Sequence, residues 1–213
     1  MLRSYLVARV IARRCSNAAR IAWEAGFEFL DQELQEIVRD ADLGKQRVDK
    51  LVKVRRLDGA TEWILAHVEV QGQPEEGLPR RLYQYHHRIV DRFGMPTVTL
   101  AFLADESPDW RPSIYEEETW GCRVRFEYPI CKLLDFGGIE ALEQIANPVA
   151  VVMAAHLTAQ QTRPEDPRRF GMKKMLVRRL YEQNHTRDEV LQLFRLIDWL
   201  LAMPAGLEQQ FSL

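Results

Sequence analysis

Several features are scarce in this chain, and their scarcity excludes whole classes of protein. It has three cysteines, Cys15, Cys122 and Cys131, which cannot all pair and which show no CxxC spacing of the kind found in structural zinc sites. Such cysteine usage is typical of a reducing compartment, so we expect a cytoplasmic protein without a structural metal. No stretch approaches the roughly 20 apolar residues that a membrane-spanning helix needs, so we expect no membrane partner.

Charge of one sign is also missing, because 29 lysines and arginines nearly balance 31 aspartates and glutamates and leave a net charge of −2. A near-neutral chain has no general attraction for nucleic acid, so a DNA partner must be held by a local basic patch. Internal repeats and low-complexity tracts are absent from the sequence. The 213 residues, 46% of them hydrophobic and 28% charged, are enough for one globular domain of ordinary size.

The first twenty residues, MLRSYLVARVIARRCSNAAR, contain five arginines and no acidic residue. Leu2, Leu6, Val10 and Ile11 fall at helical spacing, which predicts a basic amphipathic helix over residues 1–22. Transit peptides and membrane-surface helices share this pattern. It is equally typical of a first helix that packs an apolar stripe on the core.

The hydrophobic period changes along the next hundred residues and predicts alternating helices and strands. A helix is predicted from Glu28 to about Asp42, followed by two strands in RVDKLVKVRRL and TEWILAHVEVQG around the turn DGA. A second helix, in GLPRRLYQYHHRIVDRFG, stops at Gly94. The apolar run PTVTLAFLAD predicts a central strand, GCRVRFEY predicts another strand, and CKLLDF extends the sheet.

The remainder of the chain has helical periodicity, with helices predicted over residues 147–162, 166–184 and 187–202. A capping box between Thr186 and Glu189 begins the last of these helices. This order of elements predicts an α/β fold, a sheet with helices on its faces and a C-terminal helical region.

Two features of the late helices leave alternatives open. The helix over residues 166–184 is basic, which fits either a solvated face or contact with the DNA backbone. Its basic residues are Arg168, Arg169, Lys173, Lys174, Arg178 and Arg179. Trp199, in the following helix, is expected to pack in the core.

The second strand of the predicted hairpin carries polar residues on one face. Trp63, Leu65, His67, Glu69 and Gln71 alternate with apolar neighbours and therefore point the same way. A carboxylate and an amide two residues apart on one strand face present oxygen atoms to the same point. This is the first indication of a functional site.

Asp49 is the acid of the first hairpin strand, and its position relative to Glu69 depends on the turn. A two-residue Asp58-Gly59 turn puts the two carboxylates on opposite faces, whereas a loop that also includes Ala60 sets Asp49 directly across from Glu69. Two carboxylates at one point of a sheet repel each other unless they share a cation. We therefore expect Asp49 and Glu69 to hold Mg²⁺, for which Mn²⁺ is a substitute.

Such a site has the parts for phosphodiester hydrolysis. A water on the ion becomes a nucleophile near neutral pH, and the ion offsets charge in the transition state. Gln71 is placed to orient that water or to hold a phosphate oxygen through its amide. Nearby basic residues predict a patch for the DNA backbone; they are Lys50, Lys53, Arg80, Arg81 and Arg88.

These motifs together resemble a known nuclease superfamily. Asp49, then Glu69-Val70-Gln71 across a hairpin and the helix RRLYQYHHRIVDRFG, look like the D-ExQ variant of the PD-(D/E)xK nucleases. Four longer stretches are similar to the Rpn (recombination-promoting nuclease)/YhgA-like transposase family of bacteria: GFEFLDQELQEIVRDADLGKQRVDKLVKV, WILAHVEVQGQ, SIYEEETWGCRVRFEYPICKLLDF and LFRLIDWLLAMP. The resemblance runs over about residues 23–211.

The resemblance implies a restriction-endonuclease-like core over residues 23–138, with a mixed central sheet flanked by helices, and a C-terminal helical region over residues 139–213. It implies magnesium-dependent DNA cleavage linked to recombination or mobile elements, and a homodimer that cuts two strands.

The resemblance also assigns roles to individual residues. Asp49 and Glu69 would be metal ligands, and Gln71 would stand where the superfamily usually has lysine. A further acid would come from the first helix, for which Glu24 and Glu28 are the earliest candidates.

A departure from the family keeps a second function open. Family members usually begin with an acidic, aromatic-rich helix, whereas this chain begins with the arginine-rich segment. The alternative is a catalytically inactive protein of the same fold that binds DNA or a protein partner.

Overall fold

The structure is a computed structural model, and it describes residues 22, 26–30, 32, 34, 50–55, 63–145, 148–182, 186–204 and 206. These residues divide into two compact units, one that ends at Leu133 and one that begins at Leu134. Asp49 and the predicted basic helix lie outside the described residues, so the predictions about them stay predictions. The predicted division into a nuclease-like core and a C-terminal region also stays a prediction.

The first unit contains the strands that the structure describes. They are β1 (Phe27–Phe29), β2 (Lys50–Arg55), β3 (Trp63–Gln71), β4 (Thr97–Leu103), β5 (Ile114–Thr119), β6 (Cys122–Glu127) and β7 (Ile130–Lys132). Five form one sheet in the order β1-β2-β3-β4-β7, and β5 pairs with β6 in a separate two-stranded ribbon. The first three strands of the large sheet are antiparallel neighbours, whereas β3, β4 and β7 run parallel. The predicted α/β class with a mixed sheet is confirmed.

Helix α1 (Leu78–Phe93) makes the crossover that the parallel strands β3 and β4 require. Leu82, Tyr85 and Ile89 recur at helical spacing and are fully buried. Gly94 ends the helix in the left-handed region, with φ of 59°, which a residue without a Cβ adopts at no steric cost. The prediction of this helix and of its end is confirmed.

The register of β2 and β3 decides which side chains share a face. Lys50 lies opposite Val68, and Leu51 lies opposite His67. This is the register that the three-residue loop predicts, because a two-residue turn would have placed Lys50 opposite His67. His67 and Glu69 therefore lie on the face that α1 covers, and Lys50 lies on the opposite face.

The stretch around Glu28 corrects one prediction, because it forms strand β1 where a helix was expected to begin. Phe27 and Phe29 alternate with Glu28 and pack against the buried Val52 and Val54 of β2. As a strand, this segment forms main-chain hydrogen bonds with the edge of β2, and its two phenylalanine rings make apolar contacts with the same strand. A short FEF run fits a strand and a helix equally well in the sequence.

The β5–β6 ribbon contains one predicted strand, β6, and one that the sequence pattern did not predict, β5. The run of glutamates in β5 has low strand propensity. The pairing is stabilised by cross-strand ion pairs, since Glu116 lies opposite Arg125 and Glu118 opposite Arg123.

The second unit is helical. After a 3₁₀ turn (Leu133–Phe136) come α2 (Gly138–Glu143), α3 (Pro148–Gln161), α4 (Pro167–Glu182) and α5 (Arg187–Leu200). The three long helices agree with the predicted ranges within two residues, and the capping box between Thr186 and Glu189 is confirmed. None of the helices described here is long and apolar enough to cross a membrane.

Candidate functional site

The candidate site lies where β3 ends and α1 begins. Parallel strands β3 and β4 finish at the same edge of the sheet, which is where open α/β sheets commonly hold ligands. Glu69 and Gln71 share one face of β3, as their alternation predicted, and this face is the one that α1 covers. The Glu69 carboxylate has 0% exposure, which is costly for a charged group unless a cation lies beside it.

That cation is Arg81, from the first turns of α1. Its side chain is only 4% exposed, and its Nη2 donates to Glu69 Oε1 at 2.8 Å. The same Nη2 donates to Gln71 Oε1 at 3.0 Å. A carboxylate oxygen and an amide oxygen therefore converge on one positively charged nitrogen.

Glu75, in the loop between β3 and α1, completes the cluster. Arg81 Nη1 donates to Glu75 Oε1 at 2.5 Å, and Gln71 Nε2 donates to Glu75 Oε2 at 3.2 Å. Gln71 Nε2 also donates to the Gln73 carbonyl at 2.8 Å. The sequence pattern did not indicate Glu75, because a loop carboxylate six residues before an arginine carries no periodic signal. We call Glu69, Gln71, Glu75 and Arg81 the Arg81 cluster.

The position of Arg81 corrects its predicted role. It was expected in an exposed basic patch for DNA, but burial and three side-chain partners remove it from the surface. Its planar guanidinium directs two nitrogens at different acceptors, which a lysine ammonium does not do as well. Arg81 is therefore a buried hydrogen-bond donor within the site, where it contacts Glu69, Gln71 and Glu75.

The other predicted DNA-binding residues are dispersed. Arg80 is exposed and Arg88 half-buried on α1, whereas Lys50 lies on the sheet face opposite Glu69. Lys53 forms an ion pair with Glu28 on the neighbouring strand, with 3.8 Å between the charged atoms.

Glu28 does not join the site. Its side chain is 61% exposed, and its backbone lies opposite Lys53, which in turn lies opposite Leu65. Leu65 precedes Glu69 by four residues on β3, roughly 13 Å along the strand. The expectation that Glu28 supplies a further acid is therefore wrong, because the segment is a distant edge strand.

The donor atoms of the Arg81 cluster suit a hard cation. Carboxylate and amide oxygens are ligands that Mg²⁺ accepts, and Glu69 and Gln71 already direct one oxygen each at a single cation. No group of three or more His, Cys, Asp or Glu side chains that could hold a metal occurs among the residues described above. The assignment of Asp49 as the second carboxylate ligand stays a prediction.

A polar layer continues from the site along the sheet. The Thr99 hydroxyl lies 3.4 Å from His67 Nδ1 and 3.1 Å from His86 Nδ1. His67 is fully buried. Burial lowers the pKa of His86 below 6.5, and the nearby His87 lowers it further.

A second buried ion pair lies at the same edge of the sheet and was not predicted. Lys132 Nζ donates to both carboxylate oxygens of Asp105 at 2.7 Å and to the Trp110 carbonyl at 3.1 Å. The pair ties the loop after β4 to β7. Its charges are balanced within the pair, so it needs no additional ion.

The basic helix α4 is less of a charged surface than its sequence suggested. Lys173 is fully buried beside Asp198, and Arg169 donates to main-chain carbonyls that include Ala202. Arg179 binds the carbonyl of Ile145 at 2.9 Å, and burial lowers its pKa. These three side chains hold helices together, whereas Arg168, Lys174 and Arg178 are exposed.

The Arg81 cluster thus directs two side-chain oxygens at one cation, the Arg81 guanidinium, and the exposed Arg80 lies next to it on α1. In comparisons with known proteins, no family model, no curated protein and no solved structure matches the chain.

Proposed function

We propose that this protein is a divalent-metal-dependent DNA endonuclease of the PD-(D/E)xK type, similar to the Rpn/YhgA-like transposase family. The observation that supports the proposal is the convergence of Glu69 Oε1 and Gln71 Oε1 on one cationic atom at the end of β3. Unlike the buried Asp105 carboxylate at the same edge, which forms its ion pair with Lys132, the Glu69 carboxylate shares its cationic partner with a neutral side-chain amide oxygen of the kind that hard cations bind.

The residues of the chain have separate roles in this proposal. Glu69 holds Mg²⁺ or Mn²⁺ together with Asp49, and Gln71 orients a water molecule or a phosphate oxygen with its amide. The ion, when bound, supplies a more acidic water and offsets negative charge on the phosphate. The buried setting of Glu69 strengthens its attraction for any cation, because few water dipoles screen the carboxylate.

The DNA backbone would be held by the exposed part of α1. Arg80 directly precedes Arg81 on the helix and has an exposed side chain, and Arg88 follows two turns later. Arg80 beside the site, with the half-buried Arg88 further along the same helix, would give the local attraction for phosphate that a net charge of −2 does not supply.

A specific observation favours a second candidate, a catalytically inactive protein of the same fold that binds DNA or a protein partner. Arg81 satisfies Glu69, Gln71 and Glu75 at once, which gives a stable cluster without any metal ion. A cluster of this kind could persist in a chain that has lost cleavage.

Nicking of supercoiled plasmid by the purified full chain with Mg²⁺, Mn²⁺ or EDTA distinguishes the two candidates. The endonuclease proposal expects metal-dependent nicking that disappears in Asp49→Ala and Glu69→Gln. Asp91→Asn, an exposed carboxylate at the other end of α1, is the matched control and keeps full activity. DNA that stays intact with both metals, while folded wild-type protein binds it, supports the inactive alternative.

A further inference from the structure

We propose that Arg81 is an internal cation of the site, which holds Glu69 and Gln71 in place when no metal is bound and competes with the divalent ion for their oxygens. The inference rests on the site of the proposed function and adds a positioning and regulatory residue to it. Arg81 must leave Glu69 before the metal ion can bind there.

The competition follows from the use of the same two atoms. Arg81 Nη2 is bonded to Glu69 Oε1 at 2.8 Å and to Gln71 Oε1 at 3.0 Å. Mg²⁺ approaches its oxygen ligands to about 2.0–2.1 Å and carries two positive charges. A doubly charged cation at that distance from Glu69 Oε1 and a positively charged N–H donor to the same oxygen repel each other, so the metal ion and Arg81 compete for this oxygen.

The participation of Gln71 separates Arg81 from an ordinary structural ion pair. The Lys132–Asp105 pair at the same sheet edge satisfies its ammonium with the two oxygens of one carboxylate and a main-chain carbonyl. Arg81 Nη2 is instead shared between a carboxylate and a neutral side-chain amide oxygen. The amide adds no charge to an ion pair, but it is an oxygen of the type that hard cations bind.

Glu75 remains an ion-pair partner of the Arg81 guanidinium after the guanidinium has left Glu69. Arg81 Nη1 is already bonded to Glu75 Oε1 at 2.5 Å, whereas the bond to Glu69 comes from Nη2. Glu75 lies in the loop before α1 and is partly exposed. The guanidinium can therefore leave Glu69 while its charge stays paired, which avoids the large cost of an uncompensated buried charge.

The competition makes the affinity for metal depend on Arg81. A site that is free of Arg81 in only 1–10% of molecules, a representative range for a minor state, binds metal about 10- to 100-fold more weakly than the free site does. Arg81→Gln removes the competing charge and keeps a side chain that can hydrogen-bond. We expect this variant to bind Mn²⁺ about 10- to 100-fold more tightly than wild type does.

The experiment is Mn²⁺ binding to the full-length chain without DNA, measured by electron paramagnetic resonance of the free ion. The double variant Glu69→Gln/Arg81→Gln is expected to lose the gain in affinity, because it lacks the carboxylate. Arg92→Gln is the matched control, since it removes the same charge from an exposed residue of the same helix without touching the two oxygens, and its affinity stays within about twofold of wild type. Addition of Mg²⁺ to wild type is also expected to move the ¹⁵N resonance of the Arg81 guanidinium, assigned by its absence in Arg81→Gln.

Equal or weaker Mn²⁺ binding by Arg81→Gln overturns the inference, as does an unmoved Arg81 resonance when Mg²⁺ saturates the site.

Where Arg81→Gln fails to fold, Arg81→Lys serves instead. This variant keeps the charge but cannot reach three acceptors, so its expected affinity for Mn²⁺ lies above that of wild type. Nicking that is absent from wild type as well as from every variant, together with tighter Mn²⁺ binding by Arg81→Gln, refutes the endonuclease proposal and leaves the inference standing. Metal-dependent nicking by wild type without tighter Mn²⁺ binding in Arg81→Gln supports the endonuclease proposal and overturns the inference.

Discussion

The guanidinium of Arg81 and the carboxylate of Glu69 form an ion pair of 2.8 Å between two side chains that water scarcely reaches. Removing both charges from such a pair is often tolerated, whereas removing one partner is strongly destabilising. The reason is that the remaining charge stays buried without compensation. This asymmetry gives the first prediction.

Arg81→Met is expected to lower the free energy of unfolding by about 3–5 kcal/mol, because it leaves the Glu69 carboxylate buried beside a methyl group. Urea unfolding followed by circular dichroism measures the change. The double variant Glu69→Gln/Arg81→Met should recover part of the loss, which a double-mutant cycle quantifies. Arg168→Met, which breaks a surface ion pair with Asp166, is the control and should cost far less, because solvent screens this pair. A double variant as unstable as the sum of the single variants would contradict the coupling.

Arg80 carries the second prediction, which concerns DNA binding. If its exposed side chain neutralises one phosphate, Arg80→Gln lowers the slope of log affinity against log salt concentration by about 0.9. Fluorescence anisotropy with a duplex oligonucleotide, measured from about 50 to 200 mM salt, gives the slope.

The control for this measurement is Arg168→Gln. The charge of Arg168 is already paired with Asp166, whose pKa is lowered by the hydrogen bonds from Arg168. The slope should therefore stay unchanged in this variant. An unchanged slope in Arg80→Gln would show that Arg80 does not contact phosphate.

The sequence predicted the fold and half of the candidate site, because both depend on local periodicity. Alternation placed Glu69 and Gln71 on one strand face, whereas the register of β2 and β3 is one of two that the sequence left open. Helical spacing and Gly94 predicted the bounds of α1. These signals depend on residues that are close together in the sequence, so the sequence alone shows them.

The rest could not be predicted, because it depends on which side chains packing buries. Arg81 lies twelve residues after Glu69, and nothing in their spacing shows that α1 brings them together. Lys173 was counted with a basic surface but is fully buried beside Asp198. Trp199 was expected in the core and is 74% exposed, because α5 packs through Leu193 and Ile197 instead.

His86 carries the third prediction, which concerns pH. Its pKa in the folded protein is lowered, first by burial and then by the nearby His87, so the unfolded chain takes up the proton first as pH falls below 6.5. The contribution of His86 to stability is present above that pH and is lost as pH falls through the lowered pKa. His86→Gln, which keeps a hydrogen-bonding group near Thr99, should weaken the dependence of unfolding free energy on pH between about 7 and 5.

A histidine titration followed by proton NMR tests the cause of this shift. His87→Gln removes the second of the two contributions, so the pKa of His86 should rise toward 6.5 in that variant. A pKa of His86 that does not move in His87→Gln would assign the shift to burial alone.

The last prediction concerns the turn of the β5–β6 ribbon. Trp120 has a φ of 53° and Gly121 a φ of 83°, between the paired residues Thr119 and Cys122, which is the two-residue hairpin turn with positive φ at both positions. A left-handed conformation costs a residue with a Cβ roughly 1–2 kcal/mol, and asparagine tolerates it better. Because the Trp120 side chain is fully exposed, Trp120→Asn removes this strain without losing a buried contact.

Trp120→Asn is therefore expected to stabilise the ribbon by about 1 kcal/mol and to slow hydrogen exchange of its cross-strand amides about fivefold. Native-state hydrogen exchange is the right measurement, because a two-stranded ribbon can open without global unfolding. Trp199→Asn makes the same substitution at an exposed position of helix α5, where the backbone is not left-handed. It relieves no strain and should not slow hydrogen exchange in that helix. Faster exchange in Trp120→Asn would mean that the tryptophan stabilises the turn through its ring, in spite of its backbone conformation.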